Sequence, residues 1–188
     1  ITHAVGLPTR AAVCRFISDL AKFQKRAVRK FSPNLIKAMM NSLQNRSHGE
    51  RSEIASCLPY LMNASTLSRC KKVIEDVVLF YEKGDEQDHL TAGVIFIMIH
   101  RKVPIIISKF YDLILPIVYI ATFDKSEKVS RVWSELFEQS APTTETESIR
   151  LHMNDIIDRC FDCLTKSEWT MKQQGARALG NVAKILKS

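Results

Sequence analysis

Two cysteines three residues apart, Cys160 and Cys163 in DIIDRCFDCL, have a spacing that could do chemistry in this 188-residue chain. A CxxC pair works as a redox couple where it opens a helix after a strand, and as half of a zinc site where two further ligands lie at workable spacing. Here it falls inside a helical pattern with no second pair nearby, so structural thiols are expected and no metal or other cofactor is called for. Asp155, Asp158 and Asp162 share a helical face at steps of three and four, as an acid–base or metal cluster would. Arg159 stands between them and no glycine-bearing calcium loop is present, so a solvated acidic face is the expectation. His3, His48, His89, His100 and His152 are scattered, none in an HExxH arrangement, and GxGxxG, GxxxxGK and GxSxG are all missing. No enzymatic activity and no small-molecule substrate are expected.

The sharper constellation is basic. In KFQKRAVRK, Lys22 to Lys30, the residues Lys22, Lys25, Arg26 and Arg29 follow Arg15 at steps of three, four and seven, and Lys30 closes the run. On a continuous helix that spacing places a stripe opposite Phe16, Ile17, Leu20 and Ala27. Arg15, Lys22, Lys25, Arg26, Arg29 and Lys30 are therefore the candidate binding residues, suited by charge to an acidic protein surface, anionic lipid or a nucleic-acid backbone. The plainer alternative is a solvated face. Aromatic residues interleave little with this stripe, which argues against base stacking.

The basic run belongs to one end of the chain. Net charge is +7, yet the first 51 residues carry ten Lys and Arg against only Asp19 and Glu50, whereas residues 124–168 carry six basic residues against ten acidic ones. Any electrostatic partner should meet the N-terminal end. Five cysteines form an odd set without a regular framework, which suits a reducing compartment and an intracellular protein. The longest nearly apolar runs, Gly93 to Ile99 and Leu113 to Phe123, fall short of the ~20 residues that span a bilayer, so no transmembrane segment is expected. The abrupt start at Ile1, with no leader, suggests an excised fragment of a larger protein.

The elements that must position these side chains are helices. With 46% hydrophobic residues and only 6 glycines and 6 prolines, the chain is neither disordered nor low in complexity. Val13, Phe16, Ile17, Leu20, Ala27 and Phe31 predict a first helix from about Thr9 to Lys30, and Ser32-Pro33 opens a second with an N-cap and a proline at its first turn. A third follows His48-Gly49 and ends near Asn63. Further helices are expected at about Thr66–Glu82, Gln87–His100, Ile105–Thr122, Glu127–Gln139, Glu147–Leu164 and Glu168–Lys187, with capping boxes at Thr144/Glu147 and Thr165/Glu168. Pro59 and Pro116 should kink or break their helices. A real loop is expected at Ser140 to Glu147. Met39, Met40, Met98 and Phe96 are expected in the core, with a methionine-lined peptide groove as the alternative. Trp133 and Trp169 are both expected to pack.

A repeat emerges when CRFISDL, ASCLPYL, GVIFIMI, SELFEQS and ARALGNV are aligned. Their leading residues are all small, Cys14, Ala55, Gly93, Ser134 and Ala176, and return after 41, 38, 41 and 42 residues. That period fits HEAT or armadillo helix pairs, and the small residues would sit where the second helix of one pair meets its neighbour, Gly175 and Ala176 closing the last crossing. The fold class is thus all-α, a HEAT-like α-solenoid. Residues 1–188 are expected to form a single solenoid segment of about four and a half HEAT-type repeats, with apolar end faces through which the fragment would self-associate.

Several stretches carry a resemblance: VGLPTR (5–10), LIKAMMNSL (35–43), LPIVYIATF (115–123), KSEK with RVWSELFEQSAP (131–142), IRLHMNDI (149–156) and above all EWTMKQQGARA (168–178). In these the chain resembles the C-terminal half of the HEAT-repeat proteasome adaptor and scaffold family, also called proteasome stabilisers. The resemblance implies a non-catalytic scaffold, cytoplasmic and nuclear, that holds proteasome core and regulatory particles together or tethers them to membranes, motors or quality-control factors. The competing expectation is a HEAT solenoid for nuclear-transport cargo or nucleic acid, using the basic N-terminal end.

Overall fold

The computed structural model describes residues 7–43, 48–140 and 144–187, and all of its regular elements are helices. The fold class is all-α and HEAT-like, as the periodicity requires. By internal packing the chain divides into two compact units, residues 1–108 and 109–188.

The first unit contains α1 (Leu7–Phe23), α2 (Lys25–Arg29), α3 (Ser32–Leu43), α4 (His48–Asn63), α5 (Leu67–Lys83), α6 (Glu86–Lys102) and α7 (Pro104–Ile107). Short connections make α3 with α4, and α5 with α6, into hairpins, while α1, α4 and α6 pack in succession. The small leading residues explain that succession. Cys14, Ala55 and Gly93 are all buried, and Ile17, Leu58 and Phe96 one turn later fill the space beside them. Substituting bulk at these positions would push the helices apart.

After a 3-10 turn, Ser108–Phe110, the second unit holds α8 (Tyr111–Ala121), followed by α9 (Glu127–Ser140), α10 (Glu145–Leu151), α11 (Met153–Thr165) and α12 (Trp169–Lys187). Helix α8 is central, packing against α9, α11 and α12. Every residue from Ile114 to Ala121 is buried, and Trp133 on α9 is fully enclosed. Two polar ties fix α12. Gln174 donates to Asp124 at 2.6 Å, both side chains being buried, and Asn181 donates to the Tyr119 hydroxyl at 3.0 Å.

The small-residue rule holds only in part in this unit. Ser134 is half-buried and Ala176 exposed, whereas Gly175, expected with Ala176 at the last crossing, is buried there and lies against Cys160 and Cys163 of its hairpin partner α11. Trp133 supplies the reason on α9, because a bulky indole occupies the inward position beside Ser134. Trp169, expected to pack, is 75% exposed.

Three expected helices are split. The first bends at Gln24 (φ −124°, ψ 47°), which redirects the chain so that Val28 and Ser32 are buried. The helix expected over 105–122 is interrupted by the 3-10 turn, just ahead of the carbonyl of Asp112, which an undistorted helix would press against the Pro116 ring. Neither Pro59 nor Pro116 breaks its own helix. The third split is at His152 (φ −105°, ψ 20°), whose side chain is buried while Leu151 is left outside.

The Thr144/Glu147 capping box forms as expected, whereas the Thr165 hydroxyl donates to the Asp162 carbonyl at the end of α11 instead of capping α12. The loop expected over Ser140 to Glu147 is shorter, since Ser140 ends α9 and Glu145 already opens α10; residues 141–143 lie outside the described residues, as does His3. Among the described residues one stretch, Pro104–Ala121, is long and apolar enough by length and composition to cross a membrane. Half of it is buried and the 3-10 turn interrupts it, as in the core of a folded helical protein.

Candidate functional site

The basic residues do not form one stripe. The bend at Gln24 puts Arg15 and Lys22 on α1 and Lys25, Arg26 and Arg29 on α2, with Lys30 just after it. Lys22 is paired with Asp19 at 3.1 Å, and its ammonium lies 4.5 Å from the centre of the Tyr60 ring on α4. Lys25 donates to the Asn63 side chain at 2.9 Å, at the end of the same helix. Arg15 donates back to the Ala11 carbonyl. Two of the six thus clip the α1–α2 bend onto α4, and the outward charge is carried by Arg15, Arg26, Arg29 and Lys30, all exposed.

Of the face expected to be buried opposite the stripe, only Ile17 is buried. The inward side of α1 is Ala11, Cys14, Ile17, Ser18 and Ala21, while Phe16, Phe23 and Phe31 are 66%, 80% and 63% exposed and Leu20 is partly so. Small side chains face inward because α1 packs closely on α4. Exposed aromatic rings therefore do occur in the same stretch of chain as the exposed cations, contrary to the expectation from spacing alone. In sequence the phenylalanines signalled a core, and only the packing shows them outside.

The chemistry suggested by the cysteines and aspartates finds no site. Cys160 and Cys163 are buried against Gly175, and burial pushes the Cys160 thiol up to about 12; the Cys163 thiol is also raised, chiefly by burial. Burial likewise lifts Cys57 to about 12 and Cys70 to about 11, and raises Cys14. All five are free thiols held in the protonated form, poor nucleophiles and poor ligands. Asp155 and Asp158 are exposed, and Asp162 pairs with Arg159 at 3.8 Å. Among the described residues no three His, Cys, Asp or Glu side chains converge as a metal site would need.

The thiols carry a pH dependence whose sign follows from their burial. The unfolded chain releases these protons near the ordinary thiol range, about 8.5, and the folded one only near 12 or 11. Their contribution is whole below the unfolded value and is lost as pH rises toward the folded one. Urea midpoints at pH 7.5 and 9.5 should show the protein less stable at the higher pH. A Cys57→Val, Cys160→Val variant should show a smaller drop.

Residues 1–82 match the HEAT-repeat domain of the proteasome adapter and scaffold protein ECM29. The chain is 26% identical over 191 aligned residues to human proteasome adapter and scaffold protein ECM29, covering 98% of this chain. It is 20% identical to the Drosophila melanogaster proteasome-associated protein ECM29 homolog, again over 98% of its length. In both comparisons the chain spans about a tenth of the relative. No solved structure matches it. The resemblance to the proteasome adaptor and scaffold family is borne out.

Proposed function

We propose that this chain is a non-catalytic segment of a proteasome-binding scaffold, helping to hold the core and regulatory particles together or to tether them to other cellular components. The observation that carries this is the similarity, over nearly the whole chain, to a named proteasome adapter and scaffold protein and to a named proteasome-associated protein, joined to a fold made of packed helix hairpins. Such a fold binds by area. Its helices present long ridges, and affinity arises from many dispersed contacts rather than from one reacting centre. A cytoplasmic and nuclear location accords with this role.

The second function, binding nucleic acid or transport cargo through the basic end, draws on one observation: Phe16, Phe23 and Phe31 are exposed in the same stretch of chain as the exposed Arg26, Arg29 and Lys30. Exposed rings among cations are what single-strand stacking requires. The two are separated by incubating the tagged chain with purified 26S proteasome and, in parallel, with single-stranded RNA, at ~50 and ~200 mM salt. Retention of proteasome subunits at both salt concentrations is the expected result. Binding to RNA alone, lost at the higher salt, would overturn the scaffold proposal for this segment.

A further inference from the structure

A groove of about 600 Å³ runs along the first unit between α3 and α5. On α5 its wall extends from Arg69 to Lys83, a separation of fourteen residues or about 21 Å of helix. On α3 it follows one face through Pro33, Ile36, Lys37, Met40 and Asn41, and Asp88 at the start of α6 closes one end. The floor is aliphatic, with Ile36 and Val73 buried, and Met40, Leu79 and Phe80 rise as partly exposed walls. Methionine expected for the core is divided here: Met39 is fully buried, while Met40, its neighbour, lines the groove.

The charge along this groove is one-sided. Its two carboxylates are already engaged, Asp76 with Lys72 at 2.9 Å and Asp88 with Arg51 at 2.5 Å. Lys37, Arg69 and Lys83 are exposed at its rim, and among the described residues no carboxylate pairs with them. We infer that this groove docks an amphipathic, acidic segment of a partner protein, its apolar side chains on the floor and its carboxylates against Lys37, Arg69 and Lys83. Four turns of wall suit a polypeptide of a few helical turns better than a compact small molecule, and a helix laid in an apolar groove with charged edges is a recurring recognition mode. Met40 can reshape to fit the anchors it meets. The aliphatic floor and the two carboxylates disfavour a phosphate backbone.

The occupant need not be a proteasome subunit, so groove binding and proteasome retention are separate measurements. Phage-displayed random 16-residue peptides are selected on the full 188-residue chain, and the enriched peptides are measured by fluorescence anisotropy. Expected are Asp and Glu combined with apolar residues at helical spacing, and an affinity that falls with salt. Reversing the rim charges with K37E, R69E and K83E should weaken binding about tenfold or more, and Leu79→Ser should weaken it as well. The equal charge change R26E, R29E and K30E on the other basic surface should leave it unaltered. Enriched peptides without acidic residues, no enrichment at all, or equal losses in the two triple variants would each overturn the inference. Circular dichroism of all variants separates a binding loss from a folding loss.

Discussion

Replacing Arg51 by alanine should cost about 3 kcal/mol of stability, measured by urea unfolding. Arg51 is a charged side chain only 7% exposed, and it joins three helices of the first unit from its place on α4. Its guanidinium donates to Asp88 at 2.5 Å and to the Thr91 hydroxyl at 3.3 Å, both on α6, and lies 5.9 Å from the ring centre of Phe80 on α5. Asp88 is a shared partner, since its second oxygen accepts the Asp85 backbone N–H in the capping box that starts α6. Truncating Arg51 leaves the carboxylate without its countercharge, and burial of an uncompensated charge is the expensive outcome. Asp88 is partly open to water, which holds the expected cost at the lower end of the range for buried pairs. In a double-mutant cycle with Asp88→Ala, the combined loss should be clearly smaller than the sum of the single losses. Additive losses would mean that Arg51 stabilises through packing alone.

The same pair shows why spacing, which offered Met40 for a peptide groove, could not supply the groove's other wall. Arg51 and Asp88 are 37 residues apart, and α3 and α5 reach the groove from segments separated by a whole helix. Periodicity reports which face of one helix is apolar. It does not report which two helices leave a gap between them. The hairpins themselves were legible, because caps and turn residues act locally. Helix α4 spans His48–Asn63, close to the segment expected from His48-Gly49 and Asn63, and Thr144 caps α10 through its own neighbour Glu147.

Illegible positions are those where tertiary packing overrides the local pattern. On α1 the apolar spacing points to Phe16, Ile17 and Leu20, yet close approach to α4 keeps only Ile17 of these, with Cys14 and Ala21, and Phe16 and Leu20 turn outward. The basic stripe fails for a related reason. Gln24 has no sequence signature of a break, and once the helix bends there the steps of three and four no longer describe one face. Lys22 and Lys25 then meet Tyr60 and Asn63, partners nearly forty residues away. Of the six basic candidates, the sequence identified a charged end, and the fold decided which charges face outward.

The two glycines of α12 provide the largest contrast within a single helix. A methyl group at Gly175 would lie 2.8 Å from the Cys163 Cβ and 2.9 Å from the Cys160 carbonyl oxygen, both on α11. The second contact is with backbone, so a rotamer change cannot relieve it; α11 and α12 would have to separate and loosen a crossing that includes Met171, Ala178 and Ile156 in the buried core. At Gly180, exposed on the same helix, an added methyl meets nothing within 4 Å. There the only change is the lower entropy cost of fixing alanine in a helix. Gly175→Ala should therefore destabilise the protein by about 2–3 kcal/mol, whereas Gly180→Ala should stabilise it by about 1 kcal/mol. Denaturant midpoints of the two variants, with unchanged m-values, would show one shift down and one shift up. Equal shifts in the same direction would mean that α12 does not approach α11 through Gly175, and the account of that crossing would have to be abandoned.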